Sequence, residues 1–342
     1  MSTVQITITT IDSISDHSNA DALELAQIGG WQCVVPKGEY QKGDKIVYFP
    51  PDTLLPTKWT DHFGVTKYCP PSNGMQRIHR TRLRGEPSFG LVVKPEKDWP
   101  VDTDVTEYYE AEKYEPPVKV SLGGNAAPED PTVPKYTDIE NLRKYTRVFT
   151  YGEEVIATEK IHGTNVRIAK VNGVRKAGSR KHMRGEPENY NSSPYWFPWS
   201  IPEIKAMLDG LSEEHNEVVV YGETFGRIQS LRYNCPNGMD FRVFDIMING
   251  KWVDYDNCVA ICEKYGVKMV PLIARTPYSL EAIAKLSEGQ TKVNDAEHFR
   301  EGVVVKPVHE RIDPKIGRVI LKYISDTYLM SKHGMKHDTT DV

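Results

Sequence analysis

The sequence predicts an α+β protein in which a small N-terminal β-barrel precedes a larger domain of antiparallel sheets flanked by helices. Three observations predict it. Short strand-like runs separated by turn residues fill the first 95 residues, as in a small barrel. A stretch rich in Pro, Gly and small residues, 116–135, then interrupts the chain. Beyond it, apolar runs of strand type recur between 154 and 324, interleaved with two helical patterns. The expected division is a barrel over 1–115, a linker over 116–135 and the larger domain over 136–342.

Composition narrows the function classes. A chain of 342 residues is long enough for two domains with proper cores. No apolar run approaches the length of a membrane span, and the opening Met-Ser-Thr-Val-Gln lacks the basic-then-apolar pattern of a secretion signal. A protein of the cytoplasm, or of the nucleoid or nucleus, not secreted and with no membrane partner, is expected. The five cysteines are scattered and not in CxxC spacing, which suits reduced thiols. Cys258 and Cys262, four apart on an expected helix, read as core-facing thiols, because no His lies near to complete a metal site. Net charge is −4, and residues 1–120 hold 13 Lys and Arg against 17 Asp and Glu. A nucleic-acid partner would therefore meet local patches and no global positive field.

In the N-terminal part, residues 4–11 alternate apolar residues with Thr, the signature of a half-buried strand. Residues 20–28, Gly29-Gly30 and 31–35 read as strand, turn, strand, and 43–49 and 90–93 as further strands. The pattern Asn-Ala-Asp-x-Leu-Glu-Leu, Gly-Trp, Gly-Asp-x-Ile-Val-Tyr resembles OB-fold nucleic-acid-binding domains over about the first 115 residues. It looks in particular like the N-terminal OB domain of one branch of template-dependent RNA ligases. Arg77, Arg80, Arg82 and Arg84 form its most basic segment, and the last three share a face if extended. They read equally as a phosphate-contact row or as a solvated face with local partners such as Glu86. Trp31, Tyr48 and Phe49 are offered as base-stacking platforms or core residues, with core packing favoured. Thr137 or Asp138 is expected to cap a short helix over 139–143.

The larger domain is organised around Thr158-Glu159-Lys160-Ile161-His162-Gly163-Thr164-Asn165. A strand-like run ends in a lysine, a glycine follows, and a second strand-like run begins. A lysine amine becomes a covalent nucleophile when desolvation or neighbouring cations lower its pKa. Lys-x-His-Gly-Thr-Asn resembles the nucleophile motif of the covalent nucleotidyltransferases, the polynucleotide ligases and capping enzymes. Its His is similar to RNA ligases of the nick-sealing type 2 class. The resemblance implies Lys160 as the nucleophile and Glu159, His162 and Asn165 as nucleotide contacts.

Further motifs follow in order. Asn172-Gly173 signals a hairpin, and Ser179-Arg180, twenty residues past Lys160, resembles the family's Ser-Arg pair. That Arg is implied to contact the nucleotide or the RNA end. Glu223, ending an apolar run, resembles the carboxylate that holds the ribose hydroxyls. Phe244-Asp245 resembles the next motif, implying that Phe244 stacks on adenine with Asp245 near the metal. Glu301 in Glu301-Gly302-Val303-Val304-Val305-Lys306 resembles the ligand of the catalytic divalent metal. Lys322, 21 residues further on, resembles the lysine that holds the α-phosphate and lowers the pKa of Lys160. The family's second lysine, two residues later, is replaced by Ile324. Two helices without chemistry are expected from Asp254 or Asp256 to Gly266 and from Ser279 to Gly289.

The resemblance implies a monomeric ATP-dependent RNA ligase that uses Mg2+ or Mn2+. It would seal 3′-hydroxyl/5′-phosphate nicks in a duplex containing at least one RNA strand, with RNA implied on the 3′-hydroxyl side. The short stretch after Ile324 leaves no room for a C-terminal OB domain, which fits the branch with the domain at the N-terminus. A GTP-dependent capping enzyme and a decayed RNA-binding protein are the alternatives. His162 argues against the first, and Ile324 motivates the second.

Overall fold

A computed structural model describes residues 4–114 and 126–331. These divide into two compact units. One comprises described residues up to Tyr114 with Asn141–Thr146 and 329–331, and the other residues 126–140 with Arg147–Tyr328. Most of the expected linker, and the chain after Ser331, lie outside the described residues. From Ala126 onward the segment is no spacer, since Ala126–Ala127 pairs with Met183–Arg184 as an edge strand. No helix among the described residues is long and apolar enough to cross a membrane.

The first unit is built of short antiparallel strands. Ile8–Thr10, Lys45–Phe49 and Leu91–Val93 form one sheet, and Ser13–Asp16, Leu23–Ile28 and Trp31–Pro36 another. The turn at Gly29-Gly30 needs both glycines. Gly29 has φ +56°, and a Cβ on Gly30 would lie 2.6 Å from the Arg143 backbone. Trp31 and Phe49 are buried core residues, Trp31 packed 5.5 Å from Phe89 and Phe49 against Tyr109. Tyr48 donates its hydroxyl to the Phe89 carbonyl at 2.7 Å. Of the two readings offered for these aromatics, core packing is the one observed.

The arginine row does not form. Arg77 is paired with Asp52 and lies 3.9 Å over the Tyr114 ring, and Arg80 is buried. Arg82 donates to the Gly85 carbonyl, and Arg84 sits in a tight turn with φ +51°. The strand Arg80–Leu83 is too short to carry the row, and tertiary partners consume its first members. The short helix over 139–143 is also absent. Glu140–Asn141 is a short strand, the Asn141 side chain accepts the Arg143 N–H, and Arg143 donates to the Gly30 carbonyl at 2.9 Å. An Asx turn and a pinned arginine win over helix propensity there.

The second unit holds two large antiparallel sheets and a two-stranded one, Ile312–Asp313 with Gly317–Arg318. The larger has seven strands, with Val174–Ser179, Thr164–Val171, Glu217–Gly226 and Met239–Ile248 at its centre. The Asn172-Gly173 hairpin has φ +49° and +79°, as a two-residue turn requires. One face packs Val166, Ile168, Val220, Val243 and Ile246 against helices Pro202–Leu211 and Tyr255–Tyr265, with Cys258 and Cys262 inside that core. The other face carries Asn165, Ala169, Tyr221 and Glu223, since side chains alternate along a strand. In the second sheet four strands run in the order Leu321–Ile324, Gly302–Pro307, Glu154–Lys160 and Leu272–Pro277. The helix from Tyr255 ends at Gly266 with φ +68°, and Ser279 caps Leu280–Ser287 through the Ala282 N–H at 3.1 Å.

Candidate active site

Lys160 is the last residue of its strand, and register sets what surrounds it. It lies opposite Gly302, which in turn lies opposite Ile324. A Cβ on Gly302 would come within 2.2 Å of the Tyr323 carbonyl, so only glycine allows this close row. Thr158 pairs with Val304, and Val304 with Lys322. Stepping by two keeps Lys160, Val304 and Lys322 on one face of the sheet. Both lysines come from strands that flank Gly302–Pro307. Ile324 is fully buried on the same face, so an apolar side chain stands beside Lys160.

The turn after Lys160 carries the rest of the motif. A Cβ on Gly163 would lie 2.3 Å from the Thr224 carbonyl, which explains the glycine. The Lys160 amine is ion-paired with Glu301, a carboxylate of zero exposure. The other Glu301 oxygen lies 3.3 Å from His162 Nδ1. Glu223 accepts the Gly163 N–H at 3.1 Å and pairs in register with Asn165. Asn165 Oδ1 is buried without a hydrogen-bond partner, an acceptor left for something the protein itself does not supply. Phe244 occupies a bulge where Gly222 faces Val243 and Tyr221 faces Asp245. It packs 4.7 Å from Tyr136 and joins the cluster that includes Val304. Arg180, half exposed at the hairpin end, is paired with Asp138.

Two expected site residues have other work. Glu159 points to the opposite face from Lys160. Its buried carboxylate accepts the Thr291 hydroxyl and, at 2.8 Å, the Lys292 N–H, so both oxygens are engaged within the protein. Asp245 is not an open metal ligand. Its carboxylate is taken by Lys306, by the Tyr136 hydroxyl and by Arg318 at 3.0 Å. Burial opposes its ionisation, but the Lys306 and Arg318 charges hold its carboxyl below the ordinary range. Arg318 also grips Glu310 through two bonds and lies 3.7 Å over the Trp252 ring. Lys306, Arg318, Tyr136 and Val304 were not singled out from the sequence. A lysine after three valines was the available sign, because a charge in an apolar run needs a buried partner.

A family model described as RNA ligase matches residues 153–324, about half of the chain. The chain belongs to the RNA ligase family. A second model, an OB-fold domain, matches residues 5–95 of the ligase. Among solved structures, a variant of Naegleria gruberi RNA ligase with ATP and Mn is 25% identical. The match covers 95% of this chain and 98% of that one, with a TM-score of 0.77. The same protein with PPi is 26% identical, with coverages of 95% and 97% and a TM-score of 0.75. Another variant, with AMP and Mn, gives 25%, 95%, 97% and 0.75. No curated protein sequence matches the chain.

The donor set of the ligase fits a hard divalent cation of the Mg2+ or Mn2+ type in one limited sense. Among the described residues no group of three or more His, Cys, Asp or Glu forms a metal cage. Glu301 offers one carboxylate beside Lys160, and such ions are commonly held by one carboxylate with substrate phosphates and water.

Glu223 yields a pH prediction. Burial, with the Glu301 charge adding, outweighs the pull of Lys160 and His162 and pushes its carboxyl up to about 8. The folded protein therefore keeps a proton that the unfolded chain has lost. Stability should fall as pH rises from the ordinary carboxylate range through about 8. Glu223→Gln, which mimics the protonated form, should be more stable than the parent by on the order of 1 kcal/mol at high pH and no more stable in acid. Parallel melting curves for the two proteins across that range would contradict the assignment.

Proposed function

We propose that this RNA ligase is ATP-dependent and seals 3′-hydroxyl/5′-phosphate nicks in duplexes that contain at least one RNA strand. The observation that carries the reading is the Lys160 amine, held by buried Glu301 on the same sheet face as Lys322. In the first step the Lys160 nitrogen bonds to the α-phosphorus of ATP. The bond to pyrophosphate breaks, and the amine gives up its proton. Such transfers depend mainly on positioning and on offsetting charge. Lys322 supports the α-phosphate. Glu223 and Asn165 face the ribose, and Phe244 and Val304 border the adenine. His162 orients Glu301, and Arg180 is available to the nucleotide or the RNA end once Asp138 releases it. A divalent ion, when held by Glu301, offsets phosphate charge. AMP then passes to the 5′-phosphate of the nick, and the 3′-hydroxyl displaces it to form the phosphodiester.

The test is intact-mass spectrometry after incubation with Mg2+ or Mn2+ and either ATP or GTP. A gain of one AMP is expected, and a gain of GMP alone would assign the site to capping chemistry. Sealing of a panel of nicks that vary the sugar on each side then defines the substrate, and failure on every RNA-containing nick would overturn the nick-sealing reading. Glu301→Ala should slow adduct formation by roughly 10²–10³-fold. Undiminished metal-dependent labelling of that variant would remove Glu301 from the metal role.

A further inference from the structure

The loop between the strands Glu217–Gly226 and Met239–Ile248 reaches His162 twice. The Tyr233 hydroxyl accepts the His162 backbone N–H at 2.9 Å, and Ser230 Oγ lies 3.1 Å from the ring Nε2. On the other side of the ring, Nδ1 faces Glu301 Oε2 at 3.3 Å and the Tyr328 hydroxyl at 3.4 Å. The ring is 6% exposed and Glu301 is not exposed at all, so neither reorients freely in solvent.

The partners dictate where the ring proton sits. An ionised carboxylate only accepts hydrogen bonds, so Nδ1 carries the proton toward Glu301. When the ring is neutral, Nε2 presents a lone pair and the group facing it donates. Ser230 Oγ, 3.1 Å away, is placed to be that donor. One Glu301 oxygen is engaged by His162, which leaves the other for Lys160. The four groups form a chain that runs Ser230, His162, Glu301, Lys160.

We propose that Ser230 is a positioning residue for nucleotidyl transfer. By donating its hydroxyl to Nε2 it holds His162 in the Nδ1–H tautomer that orients Glu301 against Lys160. The inference rests on the reading of Lys160 as the nucleophile. Ser230 acts through the imidazole, as outer partners of metal sites act through their ligands. Replacing it by alanine leaves a buried acceptor without a donor and frees the ring to turn.

Ser230→Ala, Ser230→Thr and Lys160→Ala are compared with the parent in single-turnover adduct formation over a range of ATP concentrations. Ser230→Ala should lower the limiting rate about 10-fold, by analogy with outer-partner losses. The ATP concentration at half-maximal rate should stay unchanged, and Ser230→Thr should recover most of the rate. In parallel, 15N NMR of the imidazole nitrogens, assigned through His162→Gln, should show an unprotonated Nε2 in the parent and a moved resonance in Ser230→Ala. An unaltered rate in folded Ser230→Ala, a threonine variant no better than alanine, or a protonated Nε2 in the parent would each overturn the proposal. A parent protein that forms no adduct would instead refute the nucleophile reading, and the NMR result would still decide the Ser230 bond.

Discussion

Lys160→Arg forms no covalent adenylate, and intact-mass spectrometry after incubation with ATP and Mn2+ shows only the unmodified chain. The rate of adduct formation is expected to fall by roughly 10⁴-fold or more, as when a covalent nucleophile is removed. Arginine keeps a cation beside Glu301 but does not lose its proton at accessible pH, so charge is retained while nucleophilicity disappears. Lys160→Ala loses the adduct as well, and it also leaves buried Glu301 with one partner fewer. Its melting temperature should therefore fall below that of the arginine variant. The pair of variants separates the chemical role of the amine from its electrostatic one. Adduct on either variant would transfer the nucleophile to another residue.

Asp245→Ala should destabilise the protein by about 3 kcal/mol, because it leaves buried Lys306 and Arg318 with Glu310 as their remaining carboxylate. For a unit of this size that corresponds to a drop of roughly 10 °C in melting temperature. Adding Lys306→Met should restore part of the loss, since the uncompensated ammonium is then gone. The metal requirement of the remaining folded enzyme should match that of the parent. A stable Asp245→Ala protein with a raised Mn2+ requirement would return Asp245 to the metal site.

The parts legible in the sequence are those whose cause is local. A glycine between two strand-like runs marks the turn after Lys160, Asn172-Gly173 marks the hairpin, and Ser279 and Gly266 mark helix ends. The hairpin and the two helix ends are short-range backbone requirements found where expected, while Gly163 answers to the close approach of the distant Thr224 carbonyl. Helix Pro202–Leu211 is not among the elements expected from the sequence. The structure uses that proline in the first turn, where no N–H is needed. Charge partners were the least legible feature. Arg77 finds Asp52, and Asp245 finds Lys306 some sixty residues away. Glu159 turns from the nucleotide because strand alternation sends it to Thr291 and Lys292. A side chain's type announces that it needs a partner, but only the folded sheet decides which one.

The strand that ends in Lys160 also sets a schedule. Its two neighbours are Leu272–Pro277 and Gly302–Pro307, and Lys322 arrives on the strand beyond. At ribosomal speeds of about 5–20 residues per second, on the order of ten seconds or more separate the emergence of Lys160 from that of Lys322. For most of that interval the nascent amine has neither Glu301 nor a flanking strand. If Lys160 is the nucleophile proposed above, self-charging with nucleotide would wait until translation of the domain is nearly complete.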